Sequence, residues 1–123
     1  LEGSVNAGGS VTVNSNGYVE GTVDADGSVT VNANSHVEGP VDAGGSVAVR
    51  SNGYVGSDVS ADGDVRINSN GRIDGSVDAN GKVTIDPNGS VGGDVLVENG
   101  SDLVCNGGAI NGQSCRDYKA AHY

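Results

Sequence analysis

Residues 21–38 read GTVDADGSVTVNANSHVE, and this eighteen-residue phrase recurs along most of the chain. It returns as GSVNAGGSVTVNSNGYVE at 3–20, GPVDAGGSVAVRSNGYVG at 39–56, SDVSADGDVRINSNGRID at 57–74 and GSVDANGKVTIDPNGSVG at 75–92. A sixth, degenerate copy begins at Gly93. A fixed period in this range marks a solenoid, in which each repeat is one coil laid on the last.

The columns of the repeat define the coil. Val5, Val23, Val41, Val59, Val77 and Val95 form one column, and two residues on stand Ala7, Ala25, Ala43, Ala61, Ala79 and then Val97. A second pair of columns holds Val11, Val29, Val47, Val65, Val83 and Val13, Val31, Val49, Ile67, Ile85. The fifth holds Val19, Val37, Val55, Ile73 and Val91. Residues two apart share one side of a strand. Each coil therefore has two short strands, V-x-A and V-x-V, and a third face at the valine after Asn-Gly. Val-for-Ile exchange within a column is what a buried stack tolerates. The expectation is an all-β, single-stranded β-solenoid of about six coils, triangular in section and roughly 30 Å long at the usual strand spacing.

Small residues occupy the corners. Gly9, Gly27, Gly45, Gly63 and Gly81 form one column; Gly17, Gly53, Gly71 and Gly89 form another, with Ser35 replacing glycine once. Such glycines imply positive φ or close backbone approach. Before the second column runs an unbroken ladder of Asn16, Asn34, Asn52, Asn70 and Asn88. It is read as structural, forming the corner and bonding side chain to side chain between coils.

Composition narrows function. The chain of 123 residues has 22 Gly, no Phe, Trp or Met, and 4 Tyr, so valine and alanine must fill a thin interior. The formal net charge of −10 argues against nucleic acid and against direct binding to an anionic membrane. No nucleophile elbow, phosphate loop or dinucleotide fingerprint occurs, and clear coils without insertions leave no loops from which to build an active site. An enzyme is not expected, nor a cofactor. The pairs Asp24/Asp26 and Asp62/Asp64 are read as solvated corner residues rather than calcium ligands, because no full calcium loop or nine-residue motif recurs. His36 lies in the exposed column of Tyr18, Tyr54, Arg72 and Ser90 and is read as a surface residue, and neither it nor His122 has a partner at metal-ligand spacing.

The pattern NGxVxGxVxAxGxVxV, quoted from Asn16 to Val31, resembles that of the bactofilins over residues 3–97. The resemblance implies a right-handed triangular β-helix and nucleotide-independent polymerisation by end-to-end stacking. It also implies a cytoplasmic scaffold as an alternative location.

The ends then decide the biology, since an unprotected solenoid end exposes backbone groups and core. Only Leu1 and Glu2 precede the first repeat, so the first coil is expected to be an open template. At the other end the columns of Leu103, Cys105 and Ile110 fit only with an insertion of one or two residues. Residues 1–110 are assigned to the solenoid and 111–123 (NGQSCRDYKAAHY) to an extension that is a cap, a connector to the next subunit, or a tail. Cys105 and Cys115 lie close enough in sequence for a disulfide, which points to an oxidising, extracellular or cell-surface setting. Asn88-Gly89-Ser90 and Asn99-Gly100-Ser101 match the glycosylation acceptor pattern. The leading expectation is a structural protein that associates with itself into filaments, with cell-envelope components as further partners. Its polymer interface is assigned to Val5, Ala7, Val11, Val13 and Val19 at one end and Val95, Val97 and Leu103 at the other. The second reading is a monomeric surface-binding or adhesin module that uses the face of Tyr18 and Tyr54.

Overall fold

The computed structural model describes residues 4–99 and 102–122. Coil one supplies β1 (Val5–Ala7), β2 (Val11–Val13) and β3 (Tyr18–Val19). Coil two supplies β4 (Val23–Ala25), β5 (Val29–Val31) and β6 (His36–Val37), and coil three β7 (Val41–Ala43), β8 (Val47–Val49) and β9 (Tyr54–Val55). Coil four supplies β10 (Val59–Ala61), β11 (Val65–Ile67) and β12 (Arg72–Ile73), and coil five β13 (Val77–Ala79), β14 (Val83–Ile85) and β15 (Ser90–Val91). The degenerate sixth coil keeps all three, as β16 (Val95–Leu96), β17 (Leu103–Cys105) and β18 (Ala109–Ile110). Two elements depart from the solenoid: β19 (Gln113–Ser114) and an eight-residue helix, α1 (Cys115–His122). The chain is thus nearly all β, with one helix that the repeat does not foretell.

Equivalent strands of successive coils pair in parallel and form three sheets. The register is one repeat: Val5 faces Val23, Val11 faces Val29 and Val19 faces Val37. In the first sheet the valine N–H donates to the carbonyl just before the next valine, from Val5 to Thr22 (2.8 Å), Val23 to Pro40 (2.9 Å), Val41 to Asp58 (2.9 Å), Val59 to Ser76 (2.9 Å) and Val77 to Asp94 (2.8 Å). The register brings the inward columns of valine, isoleucine and alanine into one continuous core. In coil two, Val23, Val29, Val31 and Val37 are all fully buried. Burying each such side chain contributes about 1.5–3 kcal/mol before chain entropy is set against it.

The corners narrow one sequence expectation and depart from another. The positive φ falls on the asparagines and not on the glycines that follow: Asn16, Asn34, Asn52, Asn70 and Asn88 lie between 61° and 67°. Asparagine tolerates this left-handed conformation better than other residues with a Cβ. The glycines are there for close approach; a Cβ on Gly53 would sit 2.9 Å from the Arg50 carbonyl oxygen. Ser35, the exception in that column, is buried, and its hydroxyl donates to the Asn14 carbonyl at 2.7 Å. The asparagine side chains are exposed, and among the described residues no side-chain bond joins one to the next. Coil-to-coil bonding at this corner runs through the backbone instead, as from Asn16 N–H to Ala33 O at 3.2 Å.

A side-chain ladder does exist, in columns the sequence reading passed over. Ser10 Oγ accepts from Ser28 N–H (3.2 Å), Ser28 Oγ from Ser46 N–H (3.1 Å), Ser46 Oγ from Asp64 N–H (3.2 Å) and Asp64 Oδ1 from Lys82 N–H (2.8 Å). A second ladder runs from Asp58 to Ser76 to Asp94. Each oxygen satisfies a corner N–H that the sheets leave over.

If the asparagine column serves backbone conformation, Asn52→Gly should be nearly neutral. Asn52→Ala should cost about 1 kcal/mol, measured by thermal unfolding. Equal losses from both would restore the side-chain ladder.

Candidate functional site

The first and last coils of the described stack are built differently. At the first end, β1, β2 and β3 are the outermost strands among the described residues. Val5, Ala7 and Val11 are only partly buried, although they continue columns that are sealed in coils two to five. Val13 and Val19 keep 6% and 5% exposure. In the second coil, Gly27, Asn32 and Glu38 donate their N–H groups to Gly9, Val13 and Val19 of the first. Their equivalents one coil earlier, Gly9, Asn14 and Glu20, have no described coil beneath them. The five first-coil residues assigned from sequence therefore lie together, at a strand-edge surface with a valine centre.

The opposite end is built differently. In coil six Val95 faces Val77, eighteen residues on, but Leu103 faces Val83, twenty on, and Ile110 faces Val91, nineteen on. The inserted residues are the register shift that the sequence showed. Each sheet then ends on its own stopper. Asn111-Gly112, with φ of 50° and 77°, turns the chain so that β19 pairs antiparallel with β18. Such a two-residue Asn-Gly loop suits the twist of a hairpin. The Ser114 hydroxyl accepts from Asp117 N–H (3.2 Å) and caps α1, which also carries Asp117 in its first turn and Lys119 and His122 in its last. The helix packs on β17, β18 and β19. The Cys105–Cys115 disulfide, with Cα atoms 5.6 Å apart, ties its first residue to β17. Closing a loop of this size contributes about 2–3 kcal/mol.

Tyr118 completes the closure. It is 2% exposed, and its hydroxyl accepts from Val95 N–H at 3.1 Å and lies 3.3 Å from Val95 O. His122 stacks on the Tyr118 ring with centroids 4.0 Å apart. The described residues 111–122 of the extension thus fold back as β19 and α1 against coil six. Val95 and Leu103, assigned from sequence to a polymer interface, are consequently buried inside the chain, and Val97 is partly buried against the core.

One lateral face also has structure. His36 is not a bare surface residue: its ring lies between those of Tyr18 (4.9 Å) and Tyr54 (4.4 Å), and its Nε2 is 2.7 Å from Glu38 Oε1. Tyr54 donates its hydroxyl proton to Asp74, which also receives Arg72 Nε at 2.6 Å. The bond from Tyr54 holds the Asp74 carboxyl below its ordinary 3.8, helped by Arg72 against the effect of burial. The same bond, then burial and the Asp74 charge, push the Tyr54 phenol above its ordinary 10.0. No concave pocket opens among the described residues. Asn88 is exposed at its corner; the second acceptor triplet includes Gly100 and Ser101, which lie outside the described residues.

The cap was partly legible. Asn111-Gly112 is a hairpin signal and Ser114-x-x-Asp117 a helix-start signal. What no column could show is that Tyr118 reaches Val95, twenty-three residues back.

These features define a β-solenoid of three parallel sheets closed at one end by a hairpin and a helix. Residues 23–115, about three quarters of the chain, match the family described as bactofilin, polymer-forming cytoskeletal, and the chain belongs to that family. No curated protein and no solved structure gives a match. The family is structural rather than enzymatic.

The lateral pair gives a pH signature. Asp74 contributes stability above its unfolded-state pKa, lost as pH falls through its depressed folded value; Tyr54 contributes below its unfolded-state pKa, lost as pH rises through its raised one. Tyr54→Phe should therefore cost about 1 kcal/mol or less near neutrality, the pair being largely solvent-screened, and nothing at either extreme. Urea titrations across pH would show a flat difference if the pair were inert.

Proposed function

We propose that this chain is a scaffold subunit that associates with itself through its first coil, as a cytoskeletal-type building block of the polymer-forming family. The observation that carries the reading is the match of residues 23–115 to the polymer-forming family, on a stack of parallel coils whose outermost described strands at one end are β1, β2 and β3. Val5, Ala7 and Val11 on these strands continue columns that are buried in coils two to five. A second copy placed edge to edge would pair with these strands and cover their valine layer. The family description supports a cytoskeletal location over the extracellular or cell-surface one expected from the cysteine pair. The surface-binding alternative has less behind it: the Tyr18–His36–Tyr54 column is engaged with its own neighbours, and Asp74 and Glu38 already hold partners.

Sedimentation velocity on the purified chain, without nucleotide or metal, tests the reading. The wild type should associate, whereas Val11→Lys and Val13→Asp should sediment as monomers with their β-sheet circular dichroism intact. Tyr18→Ser, on the lateral face, should associate like the wild type. Equal association of all three variants would remove the first coil from the interface.

A further inference from the structure

The dipeptide Asn-Gly occurs eight times, and the fold treats its copies differently. Glycine after asparagine leaves its own backbone nitrogen open to reach the asparagine side-chain amide, because no Cβ stands in the way. At the repeat corners Asn16, Asn52, Asn70 and Asn88 lie in the left-handed region, and the following glycine donates its N–H across the turn. Gly17 donates to Asn14 O, Gly53 to Arg50 O and Gly71 to Asn68 O, each at 2.8 Å, and Gly89 to Asp86 O at 2.9 Å. Gly53, Gly71 and Gly89 are also buried. At Asn80-Gly81 the glycine N–H donates to Gly63 O at 3.0 Å. Asn111-Gly112 has nearly the same asparagine conformation, with φ of 50°, but a different glycine. Among the described residues the Gly112 N–H makes no hydrogen bond, nothing lies within 4 Å of where a Cβ would stand, and both residues are exposed. Asn106-Gly107 is intermediate: its glycine N–H is also unbonded among the described residues, but Gly107 is half-buried against Pro87. Gly100, after Asn99, lies outside the described residues.

We propose that Asn111-Gly112 is a self-modification site, converted with water to aspartate and isoaspartate, and that its conversion loosens the hairpin that carries α1. The Gly112 nitrogen attacks Asn111 Cγ. An N–Cγ bond forms, the Cγ–Nδ2 bond breaks, and ammonia leaves with the proton from Gly112. Water then opens the cyclic imide. Addition at Cγ restores the peptide bond and leaves aspartate. Addition at the main-chain carbonyl routes the chain through the side chain, as isoaspartate. Nothing is oxidised or reduced. At the corners the same attack first breaks the glycine N–H bond, whose net worth corresponds to about tenfold in rate. Both products disturb the place they occupy. Asn111 Nδ2 donates to Asp94 Oδ1 at 3.0 Å, so a carboxylate there removes the donor and sets like charges side by side. Isoaspartate adds a main-chain carbon to the tight loop that fixes the pairing of Ile110 with Gln113.

The full chain, with Cys105–Cys115 intact, is held at mildly alkaline pH beside a second sample in denaturant. Both are mapped over time by peptide mass spectrometry, with aspartate and isoaspartate separated by chromatography. In the folded chain Asn111 should convert about tenfold faster than Asn52, Asn70 and Asn88, with Asn106 between. In denaturant the pairs should convert at similar rates. Asn111→Gly, which keeps the positive φ and removes the amide, should abolish conversion at that turn. Chain converted at Asn111, and the Asn111→Asp variant, should be cut by trypsin after Arg116 and Lys119 severalfold faster than fresh wild type, since cleavage follows the opened population. Even conversion across the pairs of the folded chain, or conversion of the corner pairs first, overturns the site. The same order and ratio in denaturant overturns its structural cause. Conversion at Asn111 with trypsin resistance unchanged overturns the loosening of the hairpin.

Discussion

The constraint on which the molecule depends is the coil-to-coil backbone bond, repeated each time the chain returns eighteen residues on. Parallel pairing at that register decides which side chains face inward, because a slip of one residue would turn every valine outward. It also limits their size. Three sheets only a few residues wide enclose little space, so Val, Ile and Ala suffice where an ordinary domain needs Phe or Trp. The corners must then bend sharply within the same repeat. Asn52 and its equivalents accept the left-handed bend, and Gly53 and its equivalents let neighbouring backbone pass.

A structure built this way has a uniform middle and two special ends. Stability is close to a sum of coil and neighbour terms, so an internal coil can vary without consequence for its distant neighbours. The backbone groups that pairing satisfies in the middle must be dealt with separately at each end. Coil one leaves Val5, Ala7 and Val11 half covered, whereas coil six meets a hairpin, a helix, a disulfide and the Tyr118 hydroxyl.

The lateral faces contribute to cohesion. Ser10, Ser28, Ser46 and Asp64 collect corner amides, and Tyr18, His36 and Tyr54 stack in one column. Such columns arise because identical positions lie one strand spacing apart, close enough for aromatic rings or short polar side chains to meet. The serine and aspartate ladders had a visible signal, a polar residue recurring just before the V-x-A and V-x-V strands and interrupted once, at Pro40. Its meaning depended on knowing that the corner N–H of the next coil lies within reach.

By itself the sequence determined the coil, the three faces, the inward columns and the register shift after Glu98, because each is a periodic property and periodicity survives in one dimension. The assignment of positive φ to asparagine rather than glycine needed coordinates, since Asn-Gly is compatible with either residue taking the bend. The fate of the last thirteen residues needed them more. NGQSCRDYKAAHY carries local signals for a hairpin and a helix, yet cap, connector and tail remained open. Whether Tyr118 covers Val95, and whether Cys115 reaches Cys105, depends on where the hairpin aims the helix against an irregular sixth coil. That is a long-range packing outcome with no repeat behind it, and only the tertiary structure decides it.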